Sequence, residues 1–238
     1  MRDTLRDKAY FDEAAEAAWG EVEYYWSRIQ QPDTLQPYNR MLVCHMLVRQ
    51  TLERLEYRYC RGDAIADLGD DVDRLLEFRK LQAFYADALP EEEQDSRIQH
   101  EEFTFERFMH SLWWLSFAVC LGRPQDHIRQ ILALTGNEGQ DRLFDTLAHR
   151  LGDTERPIGE RLIHSRPYQK LMDVIDADEA DRPALMVEFM DAWYPAVYKR
   201  GGLREPHTIT ENDAYRGYWC YEAPLVVKLY GIDDASFR

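Results

Sequence analysis

Paired cysteines and clustered histidines are missing from this sequence. Its four cysteines are too far apart for any Cys-x-x-Cys pair and lie in apolar or aromatic runs, as reduced core residues of a cytosolic protein do. They are Cys44, Cys60, Cys120 and Cys220. The seven histidines are scattered and no Glu-x-x-His occurs, which argues against a zinc site or a di-iron bundle. We therefore predict neither a metal nor a cofactor.

Catalytic and phosphate-binding motifs are absent as well. Gly136 and Gly139 precede no Lys-Ser or Lys-Thr, and the pair 201–202 opens no helix motif, so nucleotide binding has no support. His100 begins a zincin-like pattern, but Thr104 stands where the second histidine would be needed. Glu160 and His164, four residues apart, are interpreted as a capped or salt-bridged surface pair. The sequence predicts no active site.

Positive charge is in the minority. Against 29 lysines and arginines stand 44 aspartates and glutamates, for a net charge of −15, which repels phosphate backbones and anionic membranes. The longest uncharged run, 108–122, is shorter than the roughly 18 residues of a membrane span, and the charged start of the chain lacks the apolar core of a signal peptide. We expect a cytoplasmic protein that binds neither nucleic acid nor membrane directly and is a monomer when free.

Strand-like alternation is also lacking, whereas helical spacing is present along the whole chain. Three long helices are predicted where apolar residues recur every three or four positions, over 11–29, 41–59 and 65–85. Pro32, Gly62 and Pro90 should end them, with a break near Gly69 and a solvated acidic linker at 91–95.

The middle and the end of the chain favour more helices. Residues 105–121 form the most apolar of them, as expected for a central helix. Shorter helices bounded by Gly or Pro are predicted over 124–134, 140–151, 167–175, 184–198 and 215–230. The fold class is therefore all-α, a multi-helix bundle or array of antiparallel helices, with two halves, 1–122 and 123–238, packed as one compact unit.

Acidic residues are concentrated in three stretches that we expect to face solvent. The first consists of Asp63, Asp67, Asp70, Asp71 and Asp73. The second lies within 91–102, and the third consists of Asp173, Asp176, Asp178, Glu179 and Asp181. Such stretches either keep the protein dispersed or form a surface complementary to a basic partner.

The C-terminal stretch, 214–238, is predicted to form a helix with a C-terminal cap. Gly231 is expected as the left-handed residue after the helix, Lys228 as a complement to the helix dipole, and Ile232 as the closing apolar contact. Pro224 requires that the helix begin near Glu222 or kink there.

The same stretch resembles the signature of PoNi-type immunity proteins: Gly-Tyr-Trp-x-x-Glu, an apolar helix with Lys, Gly-Ile-Asp-Asp, and Ser-Phe-Arg. The residues that carry it are Gly217, Tyr218, Trp219, Glu222, Lys228, Gly231, Asp233 and Asp234. The segments 1–12, 59–62 and 112–121 resemble the N-terminal half of that family. We interpret the signature as structural, with Glu222 accepting a hydrogen bond from a Tyr, Trp or Arg in a packed corner.

This resemblance implies a non-catalytic, all-helical protein made beside a secreted nuclease toxin, typically a DNase of a type VI secretion system, which it binds and neutralises inside the producing cell. A nuclease groove is basic, so the first and third acidic stretches, with nearby exposed aromatics, are the predicted toxin-binding residues.

Two alternatives stay open. One is a small-molecule sensor or enzyme with a pocket beneath Trp113, Trp114 and Trp219, which the missing motifs disfavour, and the other is a regulatory scaffold with a helical partner.

Overall fold

The computed structural model describes residues 1–31, 35–197, 206–208 and 215–237. This part of the chain consists of ten α-helices and short 3₁₀ helices and holds no β-strand, which confirms the all-α prediction. Positions 32, 198, 201–202, 214 and 238, which the predictions above include, lie outside the described residues.

The chain forms two compact units. The first comprises Met1–Glu102 with Thr210–Gly217, and the second comprises Phe103–Ile209 with Tyr218–Arg238. The polypeptide thus leaves the first unit, returns to it for a few residues, and leaves it again. The division into family halves at residue 122 stays a prediction.

Three long helices build the first unit: α1 (Lys8–Gln30), α2 (Pro37–Arg61) and α3 (Gly69–Asp87). The Asp7 carboxylate caps α1 by accepting from the Tyr10 amide at 2.8 Å. Gly62 ends α2 with φ +95°, and a Cβ there would lie 2.8 Å from the backbone of Met1, so glycine is required for both conformation and space. A 3₁₀ helix, Ile65–Leu68, precedes α3 and confirms the predicted break at Gly69.

Apolar faces of these helices form a shared core. Val22 and Ile29 of α1 pack with Cys44 and Leu47 of α2 and with Phe78 of α3. Burial raises the pKa of the Cys44 thiol to about 12, as expected for an inert core cysteine. The cluster explains why all three helices show the three-and-four spacing.

The acidic segment after α3 is more ordered than a solvated linker. Residues Glu91–Arg97 form a 3₁₀ helix that continues into α4 (Ile98–Glu101), so the segment is exposed, as predicted, but has regular structure. Gln94 fixes this turn by donating to the carbonyls of Leu89 at 2.8 Å and Ala86 at 3.3 Å. Side chain to backbone bonds of this kind leave no periodic signal in the sequence.

Six α-helices build the part of the second unit that the structure describes. They are α5 (Phe105–Cys120), α6 (Gln125–Thr135), α7 (Arg142–Arg150), α8 (Ser165–Asp176), α9 (Arg182–Val197) and α10 (Glu222–Tyr230). α5 packs against α6 and α10, and α8 packs against α9. Helix is confirmed in each predicted segment, except that 215–220 is not helical and α10 begins at Glu222. Pro224 lies in the first turn of α10, where a missing N–H costs nothing.

Two carboxylates hold the loop between α7 and α8. Asp141 caps α7 and also accepts from the Ile163 amide at 2.7 Å, while Asp145 binds the buried Arg156 and the Gly159 amide. Residues 160 and 164 do not share a helix, because α8 begins only at residue 165, and the Nε2 atom of His164 lies 3.2 Å from the Phe103 carbonyl oxygen.

Candidate functional site

The five residues of the first acidic stretch differ in their exposure to solvent. Asp67, Asp70 and Asp73 are exposed on the 3₁₀ helix and the first turns of α3. Asp63 is half-buried and binds Arg61 at 2.6 Å and Arg58 at 2.8 Å. Hydrogen bonds from Arg61 and Arg58 lower the pKa of Asp63 to about 2, so its charge is already compensated within the protein.

Asp71 is fully buried, which differs from the expected solvent-facing position. Its carboxylate binds Arg54, Arg58 at 2.7 Å and Arg74 at 3.3 Å. The guanidinium groups of Arg54 and Arg74 also lie over the ring of Trp19, 4.7 and 5.0 Å from its centroid. We call this cluster the arginine centre. Removing Asp71 would leave these arginines without their counter-charge, so its role is structural.

All five residues of the third acidic stretch are exposed, around the turn that joins α8 to α9. Arg142 binds the Asp176 carboxylate at 3.1 Å, and Gln169 donates to Asp173 at 2.9 Å. These contacts lie in solvent and are weak. The turn therefore presents a strongly negative surface.

The signature residue Glu222 lies in a packed corner, as predicted. Its carboxyl is 1% exposed, and the Tyr168 hydroxyl donates to its Oε1 atom at 2.9 Å. Burial raises the pKa of Glu222, and the hydrogen bond from Tyr168 offsets part of that increase. In this corner a neutral donor of α8 meets the carboxyl group of α10, beside the indoles of Trp113 in α5 and Trp193 in α9.

The rest of the signature also makes internal contacts. Tyr218 and His207 form a hydrogen bond of 2.7 Å, and Lys228 donates to the carbonyl of Cys120, at the end of α5, at 3.3 Å. Gly231 is left-handed, with φ +62°, and Ile232 is buried while its amide donates to the carbonyl of Val227. The helix stop therefore has the predicted geometry.

Residues 215–217 belong to the first unit and attach to its N-terminal segment. The Tyr215 hydroxyl donates to Asp3 at 2.7 Å, and the Tyr10 hydroxyl donates to the Tyr215 carbonyl at 2.9 Å. Arg216 binds Glu53 at 2.8 Å and lies 3.5 Å from Glu56. Asp3, Tyr10 and Tyr215 all fall in segments that resemble the PoNi family, which is the sequence signal that could have paired them.

Trp113 and Trp114, proposed above as the roof of a pocket, are buried, and Trp113 packs edge-on against Tyr221 with ring centroids 5.2 Å apart. A surface cavity opens in the first unit beside Gln36, Tyr38 and Glu93, and neither tryptophan lines it. Within the described residues, no three His, Cys, Asp or Glu side chains are placed to hold a metal, and no helix is both long and apolar enough to cross a membrane.

Comparisons with known proteins agree with this fold and signature. The crystal structure of protein PA2201 from Pseudomonas aeruginosa is similar, with a TM-score of 0.62 and 21% identity over 98% of this chain and 85% of that chain, which shows a shared fold. No curated protein matches the chain. Residues 139–238 match the family model described as PoNe immunity proteins (PoNi), C-terminal. The resemblance to PoNi-type immunity proteins that the sequence predicted is therefore confirmed over residues 139–238.

Proposed function

We propose that this protein is an immunity protein that binds a cognate PoNe-type nuclease and neutralises it in the cytoplasm of the cell that makes both. The observation that carries this proposal is the match of residues 139–238 to the PoNi family. The nuclease is a DNase effector of a type VI secretion system, and the immunity protein acts by binding, without catalysis.

Charge supports this function. A nuclease must attract a polyanion and so presents a basic groove, whereas this chain carries a net charge of −15. Exposed carboxylates speed the encounter with such a groove and disfavour partners of like charge. The same charge opposes self-association, so the free protein is a monomer and the complex is one-to-one.

We propose that the exposed members of the two predicted stretches make this contact. The exposed members of the two predicted stretches are Asp67, Asp70 and Asp73 in the first unit and Asp173, Asp176, Asp178, Glu179 and Asp181 in the second. Asp71 is buried in the arginine centre and Asp63 is bound by two arginines, so neither is a contact residue.

The test is reconstitution with the toxin domain encoded beside this gene. The two proteins are co-purified, and the immunity protein is titrated into a DNA-degradation assay. We expect nuclease activity to be lost at one equivalent, and association to slow as salt rises because the attraction between opposite charges is screened. Full nuclease activity at excess immunity protein, with no complex on a sizing column, would overturn the proposal.

A further inference from the structure

Large aromatic side chains lie exposed on α1 and α3 of the first unit. Phe84 is 64% exposed and Trp26 is 39% exposed. Trp26 is nevertheless held in place, because its ring lies against Phe78 with centroids 5.6 Å apart. A half-exposed tryptophan on a rigid helix loses little entropy on binding, and such residues dominate interface energies.

Two contacts show that α1 and α3 lie side by side. Trp19 touches Arg74, and Trp26, two turns further along α1, touches Phe78, one turn further along α3. The two helices therefore run in the same direction, and their exposed residues flank these two side-chain contacts, while each helix packs mainly against α2.

Carboxylates surround the aromatic residues on these faces. On α1, Glu16 and Glu23 flank Trp19 and Trp26 at helical spacing, and both are exposed. On α3, Asp70, Glu77 and Phe84 recur every seven residues on one exposed side, together with Lys80. We define the α1–α3 face by Glu16, Glu23, Trp26, Asp70, Glu77 and Phe84.

The chemistry of this face selects its partner. Carboxylates around solvent-exposed rings complement lysines and arginines, which pair with the acids and also bind aromatic faces. A second copy of this chain would bring like charges together, and an anionic membrane would be repelled. The complementary surface is a basic groove, as in a protein that holds DNA, whose lysines and arginines can pair with the acids and pack on the rings.

We propose that the α1–α3 face docks into the DNA-binding groove of the nuclease, with Trp26 and Phe84 as anchors and the carboxylates in place of DNA phosphates. This inference rests on the proposed function and adds to it the surface that performs the inhibition. Of the toxin-binding residues predicted from the sequence, the α1–α3 face includes only Asp70. It also includes residues of α1, which lies outside all three acidic stretches.

Two variants of the full chain test the face, and a third serves as a matched control. Asp70→Lys/Glu77→Lys reverses two charges on the face, and Phe84→Ala removes a side chain that is mostly in solvent. The control, Glu91→Lys/Glu92→Lys, makes the same charge change at exposed positions outside the face. Nuclease affinity is measured by calorimetry and inhibition by DNA degradation, with melting temperatures to establish that each variant folds.

We expect affinity to fall about 100-fold for Asp70→Lys/Glu77→Lys and about 10-fold for Phe84→Ala, and less than about 5-fold for the control. If the wild type inhibits the nuclease while the face variants bind as tightly as the control, the docking surface is wrong and the immunity function stands. Equal losses in face and control variants would mean that only net charge matters, which also overturns the surface. If the wild type itself does not bind, both proposals fail.

Discussion

Asp71 in the first unit and Glu222 in the second are both carboxyl groups shut off from water, yet their surroundings are opposite in kind. Asp71 is bound by three guanidinium groups, whereas Glu222 accepts from a phenol beside two indoles. Charged donors compensate an ionised carboxylate, and neutral donors serve a protonated carboxyl nearly as well. Burial alone therefore does not determine what a buried carboxyl group contributes to stability, because the charge of its hydrogen-bond donors matters as well.

The largest effect is expected at Asp71. The substitution Asp71→Asn removes the charge that three arginines share, and we expect the free energy of unfolding to fall by about 3 kcal/mol. Urea unfolding of the full chain, followed by circular dichroism, measures this loss. Asp70→Asn, an exposed neighbour, should change stability by less than about 0.5 kcal/mol. Similar values for the two variants would mean that the arginine centre does not depend on the aspartate charge.

A third buried acid, Glu56, lies between the two cases because Arg216 is its only cationic neighbour among the contacts described. Burial raises its pKa from the usual 4.5 to about 7, against the opposing effect of Arg216. The unfolded chain then loses this proton at lower pH than the folded chain, so stability is full below pH 4.5 and falls as pH rises to about 7.

Between pH 5 and pH 8 we expect the ionisation of Glu56 to lower the free energy of unfolding by about 2 kcal/mol. Urea midpoints at the two pH values should differ clearly in the wild type and less in Glu56→Gln. Glu13→Gln, at an exposed position of α1, serves as the control and should keep the wild-type difference. An unchanged pH dependence in Glu56→Gln would assign the effect to other groups, Glu222 among them.

The smallest effect is expected for Glu222→Gln. Glutamine keeps an oxygen for the Tyr168 hydroxyl and brings no charge, so the free energy of unfolding should change by less than about 1 kcal/mol. The same urea experiment applies, with Glu222→Ala as the companion variant that leaves a cavity and an unsatisfied hydroxyl. A cost for Glu222→Gln as large as that of Asp71→Asn would remove the distinction between the two buried acids.

Local features of this fold could be predicted from the sequence. The spacing of apolar residues predicts α1, α2 and α5, because each of these helices packs an apolar face into the core. Gly62 and Gly231 predict helix ends, because few other residues tolerate a left-handed backbone. These signals act within a few residues. They fail at 215–220, which is not helical and begins at Tyr215, a residue held by distant contacts with Asp3 and Tyr10.

The candidate site was less predictable, since exposure depends on partners far along the chain. The first acidic stretch contains no arginine, and only the packing of α2 against α3 brings Arg54 and Arg58 to Asp71. The α1–α3 face likewise exists only after folding, because Trp26 and Glu77 are separated by all of α2. The charge count of the sequence therefore suggests a kind of partner to propose, whereas the proposed docking surface could be identified only from the structure.

The return of residues 215–217 to the first unit has a consequence for synthesis on the ribosome. Asp3, Tyr10 and Glu56 are translated early, but their partners Tyr215 and Arg216 emerge only after most of the chain has been made. At about 5–20 residues per second, the first unit waits roughly ten seconds or more for its last segment. The first unit of a newly made chain therefore completes its contacts only near the end of translation.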